Sequence, residues 1–189
     1  FSGQKAPILS HLPLNLPVKL DYSLTPEQER IAKEVNDNYL SGINSLVYAV
    51  CGAGKTELVF LAIQSALKRG HQIGFTVPRR EVVIEIAIRI KDDFTRAKVI
   101  SVFGDHNDVL TGNIIVLTTH QLFRYPKYCD LLIFDEIDAF PYKDDFVLEA
   151  MFKNSVKGVF VLLSATPSAK LLNEFPAVGK VLTLFTRFH

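Results

Sequence analysis

The chain has no tryptophan, one methionine and only two cysteines in 189 residues. Two cysteines, Cys51 and Cys129, cannot build the multi-bridge framework of a small secreted domain, and they form no Cys-x-x-Cys pair for metal or redox chemistry. Five scattered histidines imply no zinc site. Excess charge is missing too: 21 Lys and Arg face 20 Asp and Glu, a net +1. No global field therefore draws in a polyanion, and any nucleic-acid contact must come from a local patch. No apolar run approaches the ~20 residues of a membrane span, and no signal peptide, internal repeat or low-complexity segment is visible. What remains is 48% hydrophobic and 22% charged, which excludes a disordered chain. The length suits one α/β domain with a sizeable core, and the cysteine usage fits a reducing cytoplasm.

The richest segment runs from Ala49 to Thr56, Ala-Val-Cys-Gly-Ala-Gly-Lys-Thr. It follows the apolar run Leu46-Val47-Tyr48 and opens into Glu57-Leu58-Val59-Phe60-Leu61-Ala62, which reads as a helix. A strand, a glycine-bearing loop ending in Gly-Lys-Thr and a helix make a phosphate-binding loop. Gly52 and Gly54 let successive backbone N–H groups curl toward phosphate oxygens, and the helix start adds its positive end. Lys55 supplies a point charge for the β- and γ-phosphates, and Thr56 a hydroxyl for Mg²⁺. The candidate nucleotide contacts here are Cys51, Gly52, Ala53, Gly54, Lys55, Thr56 and Glu57. Alanine stands at position 49 where the strict pattern has glycine.

The second element is the strand Leu131-Leu132-Ile133-Phe134 followed by Asp135-Glu136-Ile137-Asp138. Acidic residues at the C-terminal end of a buried strand stand where open α/β sheets bind ligands. Asp135 is placed to hold Mg²⁺ through water, and Glu136 to deprotonate the attacking water. Lys55, Asp135 and Glu136 are the candidate catalytic residues, and Thr56 and Asp135 the candidate metal ligands. A third strand, Val159 to Leu163, ends in Ser164-Ala165-Thr166-Pro167.

These motifs, in this order, resemble the first RecA-like lobe of superfamily-2 helicases. That resemblance implies ATP and Mg²⁺ as cofactors, and that Ser164, Ala165 and Thr166 couple the phosphates to the nucleic-acid track. Cys51-Gly52-Ala53-Gly54, Thr119-His120-Gln121-Leu122 and the Ala139-Phe140-Pro141-Tyr142 tail of the acidic motif narrow the likeness to the ComFA family, late-competence DNA-translocating ATPases of transformable Gram-positive bacteria. Gly54-Lys55-Thr56-Glu57 also occurs in PriA-like restart helicases. Three further expectations follow from the ComFA resemblance: single-stranded DNA as partner, ComFC-like and DprA-like competence proteins as associates, and a homo-oligomer in the full-length form. Partners would then bring a cytoplasmic protein to the inner membrane face. The family's four-cysteine zinc module and second lobe with its arginine finger have no counterpart here, so the chain is expected to hydrolyse ATP only weakly alone. An ATP-sensing adaptor without motor activity is the rival from another class.

The rest of the chain fits a doubly wound α/β lobe of about seven mainly parallel strands. Residues 1–21 read as a proline-bearing arm, 22–186 as the ATP-binding domain and 187–189 as the start of a linker. Thr25-Pro26-Glu27-Gln28 starts a helix whose face is Ile31, Ala32, Val35 and Tyr39, stopping near Gly42. Gln28 has two readings: the glutamine that reads the adenine edge in superfamily-2 enzymes, or the partner of Thr25 in a capping box. The β-branched stretch Ile84 to Ile90 alternates like a strand. Val82, Val83, Ile86, Ala87, Ile90 and Phe94 nevertheless share a helical face, and parallel strands need a crossover, which favours a helix. Strands are expected at His71–Thr76, Lys98–Val102, Ile114–Thr118 and Val181–Leu184. Pro78, Arg79 and Arg80, and Thr118, Thr119, His120 and Gln121, follow strands on the same sheet edge. They are the candidate contacts to a DNA sugar-phosphate backbone.

Overall fold

A computed structural model describes residues 24–49, 56–104, 111–136 and 156–184. Seven strands run parallel: β1 (Asn44–Ala49), β2 (Ile73–Val77), β3 (Val99–Val102), β4 (Ile114–Thr118), β5 (Cys129–Phe134), β6 (Val156–Ser164) and β7 (Gly179–Leu184). They form one sheet in the order β3-β4-β2-β5-β6-β1-β7. Among the described residues, four α-helices cover it: α1 (Pro26–Leu40), α2 (Phe60–Lys68), α3 (Arg80–Asp93) and α4 (Ala169–Glu174).

The strands read as near-continuous apolar runs because a parallel sheet is covered on both faces. Every residue of β2 and β4 is buried. The period of two then divides each strand between two cores. Val47, Ile114, Val116, Leu131 and Ile133 join α1, α2 and α3 on one face, around Phe60, Phe75 and Phe94. Leu46, Ile115, Leu117, Leu132 and Phe134 join Leu122, Tyr125 and Phe175 on the other. Gly74 of β2 is there for space: a Cβ at that point would lie 2.6 Å from Cys129 Sγ and 2.9 Å from Leu132 Cδ1.

Local signals set the helix ends. Thr25 caps α1 by accepting from Gln28 N–H at 3.2 Å, while Gln28 Oε1 accepts from Thr25 N–H at 2.9 Å, a complete capping box. Gly42, at φ +74°, turns the chain out of α1 toward β1. The stretch from residue 80 to 93 is helical, as the crossover requires, burying Val83, Ile86, Ala87 and Ile90. Its other isoleucines, Ile84 and Ile88, face outward at 47% and 55% exposure, so the strand-like alternation was two helical faces interleaved. The segment after the phosphate loop differs from expectation. Thr56–Val59 is a 3₁₀ turn, and the α-helix begins only at Phe60. Opening a helix with tight i→i+3 bonds is a common way to satisfy its first N–H groups.

Candidate nucleotide and nucleic-acid site

Because the described strands all point the same way, the segments that follow them leave from one sheet edge. β1 leads to the phosphate loop, β2 to Pro78-Arg79-Arg80, β4 to Thr119-His120-Gln121, β5 to Asp135-Glu136 and β6 to Ala165-Thr166. The strand order puts β6 between β1 and β5, with Tyr48 beside Ser164 and Phe134 beside Leu162. Ser164-Ala165-Thr166 thus stands between the strand feeding the phosphate loop and the strand carrying the acidic pair. This is the crevice at the carboxyl edge where α/β sheets take nucleotides. Ser164 is fully buried, Ala165 half-buried and Thr166 exposed.

The acidic pair is built with care. Asp135 is 6% exposed. Its N–H donates to Thr76 O at 2.9 Å, continuing the β2–β5 pairing one step past the strand. Its Oδ1 accepts from Glu136 N–H at 2.8 Å. Glu136 lies in the left-handed region at φ +52°, a conformation uncommon for a residue with a side chain and concentrated at functional sites. Arg79 Nη2 lies 4.0 Å from Glu136 Oε2.

Thr56 is 7% exposed at the first turn after the phosphate loop. A buried hydroxyl and a buried carboxylate at one edge suit Mg²⁺, which keeps several waters, takes one or two protein oxygens and otherwise binds the nucleotide's phosphates. The loop itself, including Cys51, Gly52, Ala53, Gly54 and Lys55, lies outside the described residues, as do Asp138 and the 139–142 tail. Glu57 is buried and its Oε1 pairs with Arg89 of α3. The structure thus commits that carboxylate to the neighbouring helix. Gln28 is engaged in the capping box described above.

The candidate DNA contacts divide by exposure. Arg79 and Arg80 are exposed, and Arg80 lies over the Phe103 ring, 5.1 Å from its centroid. His120 is exposed, but Thr118, Thr119 and Gln121 are buried at 8%, 3% and 9%. Gln121 Nε2 donates to Gly104 O at 2.8 Å, bracing the loop after β3. Thr119 Oγ1 and Gln121 Oε1 are buried without a hydrogen-bond partner. Sequence reasoning missed Arg89 and Phe103. Both are recruited from distant elements, and nothing local marks them.

A family model for DEAD/DEAH box helicases matches residues 25–175. The chain belongs to the DEAD/DEAH box helicase family. It is similar to competence protein ComFA of Bacillus subtilis, 38% identical over 80% of this chain and 33% of that protein. It is also similar to ComFA of Streptococcus pneumoniae, 35% identical over 88% of this chain and 39% of that one. Replication restart protein PriA of Rickettsia conorii is 28% identical over 87% of this chain and 28% of its own length. The chain thus spans about a third of the length of the curated relatives it matches. Among solved structures, the Pyrococcus furiosus Hef helicase domain superposes with a TM-score of 0.68 at 16% identity, covering 89% of this chain and 40% of that one. The DEAD-box helicase Mss116 bound to ssRNA and UDP-BeF gives 0.64 at 18%, covering 90% and 40%. At such identities the likeness concerns the fold alone, an α/β lobe with a parallel sheet.

Proposed function

We propose that this chain is the ATP-binding lobe of an ATP-driven single-stranded DNA translocase serving DNA uptake in natural transformation. The observation that carries this reading is the Asp135–Glu136 pair at the end of β5, set two strands from the phosphate-loop strand in a chain 35–38% identical to ComFA. Lys55 and the loop's N–H groups hold the nucleotide's phosphates. Thr56 and Asp135 hold Mg²⁺, which when bound neutralises charge on those phosphates. Glu136 orients a water and takes its proton as the water attacks the γ-phosphate. Ser164, Ala165 and Thr166 link the phosphates to the DNA track. Arg79, Arg80, His120 and the backbone around Thr118, Thr119 and Gln121 meet the DNA backbone without reading sequence. ComFC-like and DprA-like proteins are the associates in this reading.

Glu136→Gln in the full-length protein tests it, since the amide keeps shape and hydrogen bonding but cannot accept the proton. ATP binding should persist, hydrolysis should collapse, and a competent host carrying the substitution should lose transformability. Unchanged hydrolysis would remove Glu136 as the base. The PriA relatives favour a second reading, a replication-restart helicase lobe. Failure of fork restart with intact transformation, in the same variant, would select that reading. Normal biological output without any turnover would select a non-motor ATP sensor.

A further inference from the structure

Two adjacent arginines at the end of β2 do different things. Arg80 spreads over Phe103, whereas Arg79 faces the carboxylate of Glu136 across the β2–β5 seam at 4.0 Å. The placement follows from register. Thr76 pairs with Phe134, and Asp135 N–H extends that pairing to Thr76 O. The chain then leaves both strands on the same side, three residues on to Arg79 and two on to Glu136. Arg79 is extended at φ −121°, ψ 137°, just before α3. Glu136 is fixed in its left-handed conformation by Asp135 Oδ1. Neither backbone needs to move for the pair to form or part.

We propose that Arg79 parks Glu136 in the DNA-free lobe, and that a DNA phosphate takes Arg79 away and frees Glu136 to accept the proton of water. This rests on the reading of Glu136 as the general base and goes beyond it by naming what restrains that base. The exchange is easy in energy terms. The side chains of Arg79 and Glu136 are 66% and 38% exposed, so water competes for both and the pair is weak. A phosphate offers the guanidinium two parallel charge-assisted bonds, which are shorter and stronger. While paired, the carboxylate has its charge engaged by a cation. Once DNA holds Arg79, the carboxylate is released at the same edge as the nucleotide. DNA binding and hydrolysis are thereby joined through a single side chain.

The experiment is steady-state turnover of the full-length protein with and without single-stranded DNA, for wild type, Arg79→Ala, Arg79→Lys and Glu136→Gln. Arg79→Ala should raise the DNA-free rate by up to about fivefold, the range over which so exposed a pair holds an equilibrium, and bring the fold-stimulation by DNA toward one. Arg79→Lys keeps a charge and should lie between. The DNA-free rate is the deciding readout, because losing a mere DNA contact leaves it where it was. A DNA-free rate in Arg79→Ala that equals or falls below wild type overturns the parking role, while the base assignment stands if Glu136→Gln is inactive. Wild-type hydrolysis by Glu136→Gln overturns both.

Discussion

Glu57, beside Thr56, pairs with Arg89 in the third turn of α3. The Glu57 side chain is 8% exposed and that of Arg89 41%, so the acid is the costly partner to strand. Its Oε2 already lacks a hydrogen bond. This pair ties the turn after the phosphate loop to the helix that Arg79 precedes and Arg80 begins.

Arg89→Ala should therefore destabilise the lobe by about 1–3 kcal/mol, less than a fully buried pair because water reaches the arginine. Denaturant unfolding measures it. Replacing Glu57 as well, with methionine, should recover most of the loss, since no buried charge is then left uncompensated. If the double variant is as unstable as the single one, the pair is not the cause.

Gly74→Ala should cost about 1–3 kcal/mol through overpacking, because its new methyl meets Cys129 Sγ and Leu132 Cδ1 at 2.6 and 2.9 Å. Adding Cys129→Ala should restore part of that stability. Equal losses with and without the second change would contradict the clash. Burial pushes the Cys129 thiol up to about 12, so alkylating reagents should modify it only after unfolding.

His71 carries a pH dependence. Its Nδ1 is bonded to the Tyr39 hydroxyl and burial lowers its pKa below the ordinary 6.5. A lowered folded pKa means the unfolded chain binds the proton more readily. Its contribution to stability is then complete above 6.5 and shrinks as pH falls below it. Thermal unfolding from pH 7.5 to 5 should show the decline, and His71→Gln should flatten it. An unaltered slope in the variant would assign the decline to other groups.

The two readings of Gln28 separate by measurement. Thr25→Ala removes the cap and should cost about 1 kcal/mol, with no change in preference for ATP over GTP. Gln28→Ala should cost a similar amount through the same box. A reduced ATP preference in Gln28→Ala alone would add the adenine role to the capping role.

The sequence carried the fold well wherever one residue pair or one period settled the matter. Thr25 and Gln28 bond each other three residues apart, so the cap was visible in the chain. The buried strands announced themselves as apolar runs, and parallel connectivity forced the helix over Ile84–Ile90 despite its alternation. The 3₁₀ turn at Thr56–Val59 was hidden because the apolar run from Leu58 onward reads as a helix whichever way its first turn is wound. Exposure at the DNA edge was hidden for another reason. Thr118, Thr119 and Gln121 are polar and follow a strand, which suggested an accessible loop, but the 3₁₀ turn at Thr119–Arg124 folds back over the sheet and buries them. Likewise, Arg89 and Phe103 gain their partners only when α3 and β3 are in place.

The strand order also dictates the order in which the lobe can be completed. Among the described residues β1 is the first strand in the chain, yet its two neighbours are β6 and β7, the last two, more than a hundred residues downstream. On a ribosome the nucleotide-bearing strand therefore waits with both edges open while β2, β3, β4 and β5 find one another. Such long-range parallel pairing is slow to close and leaves unpaired edges exposed meanwhile. The edges of β1 are thus closed only after β6 and β7 have been synthesised, and the interval before they arrive is when a nascent copy is most open to aggregation.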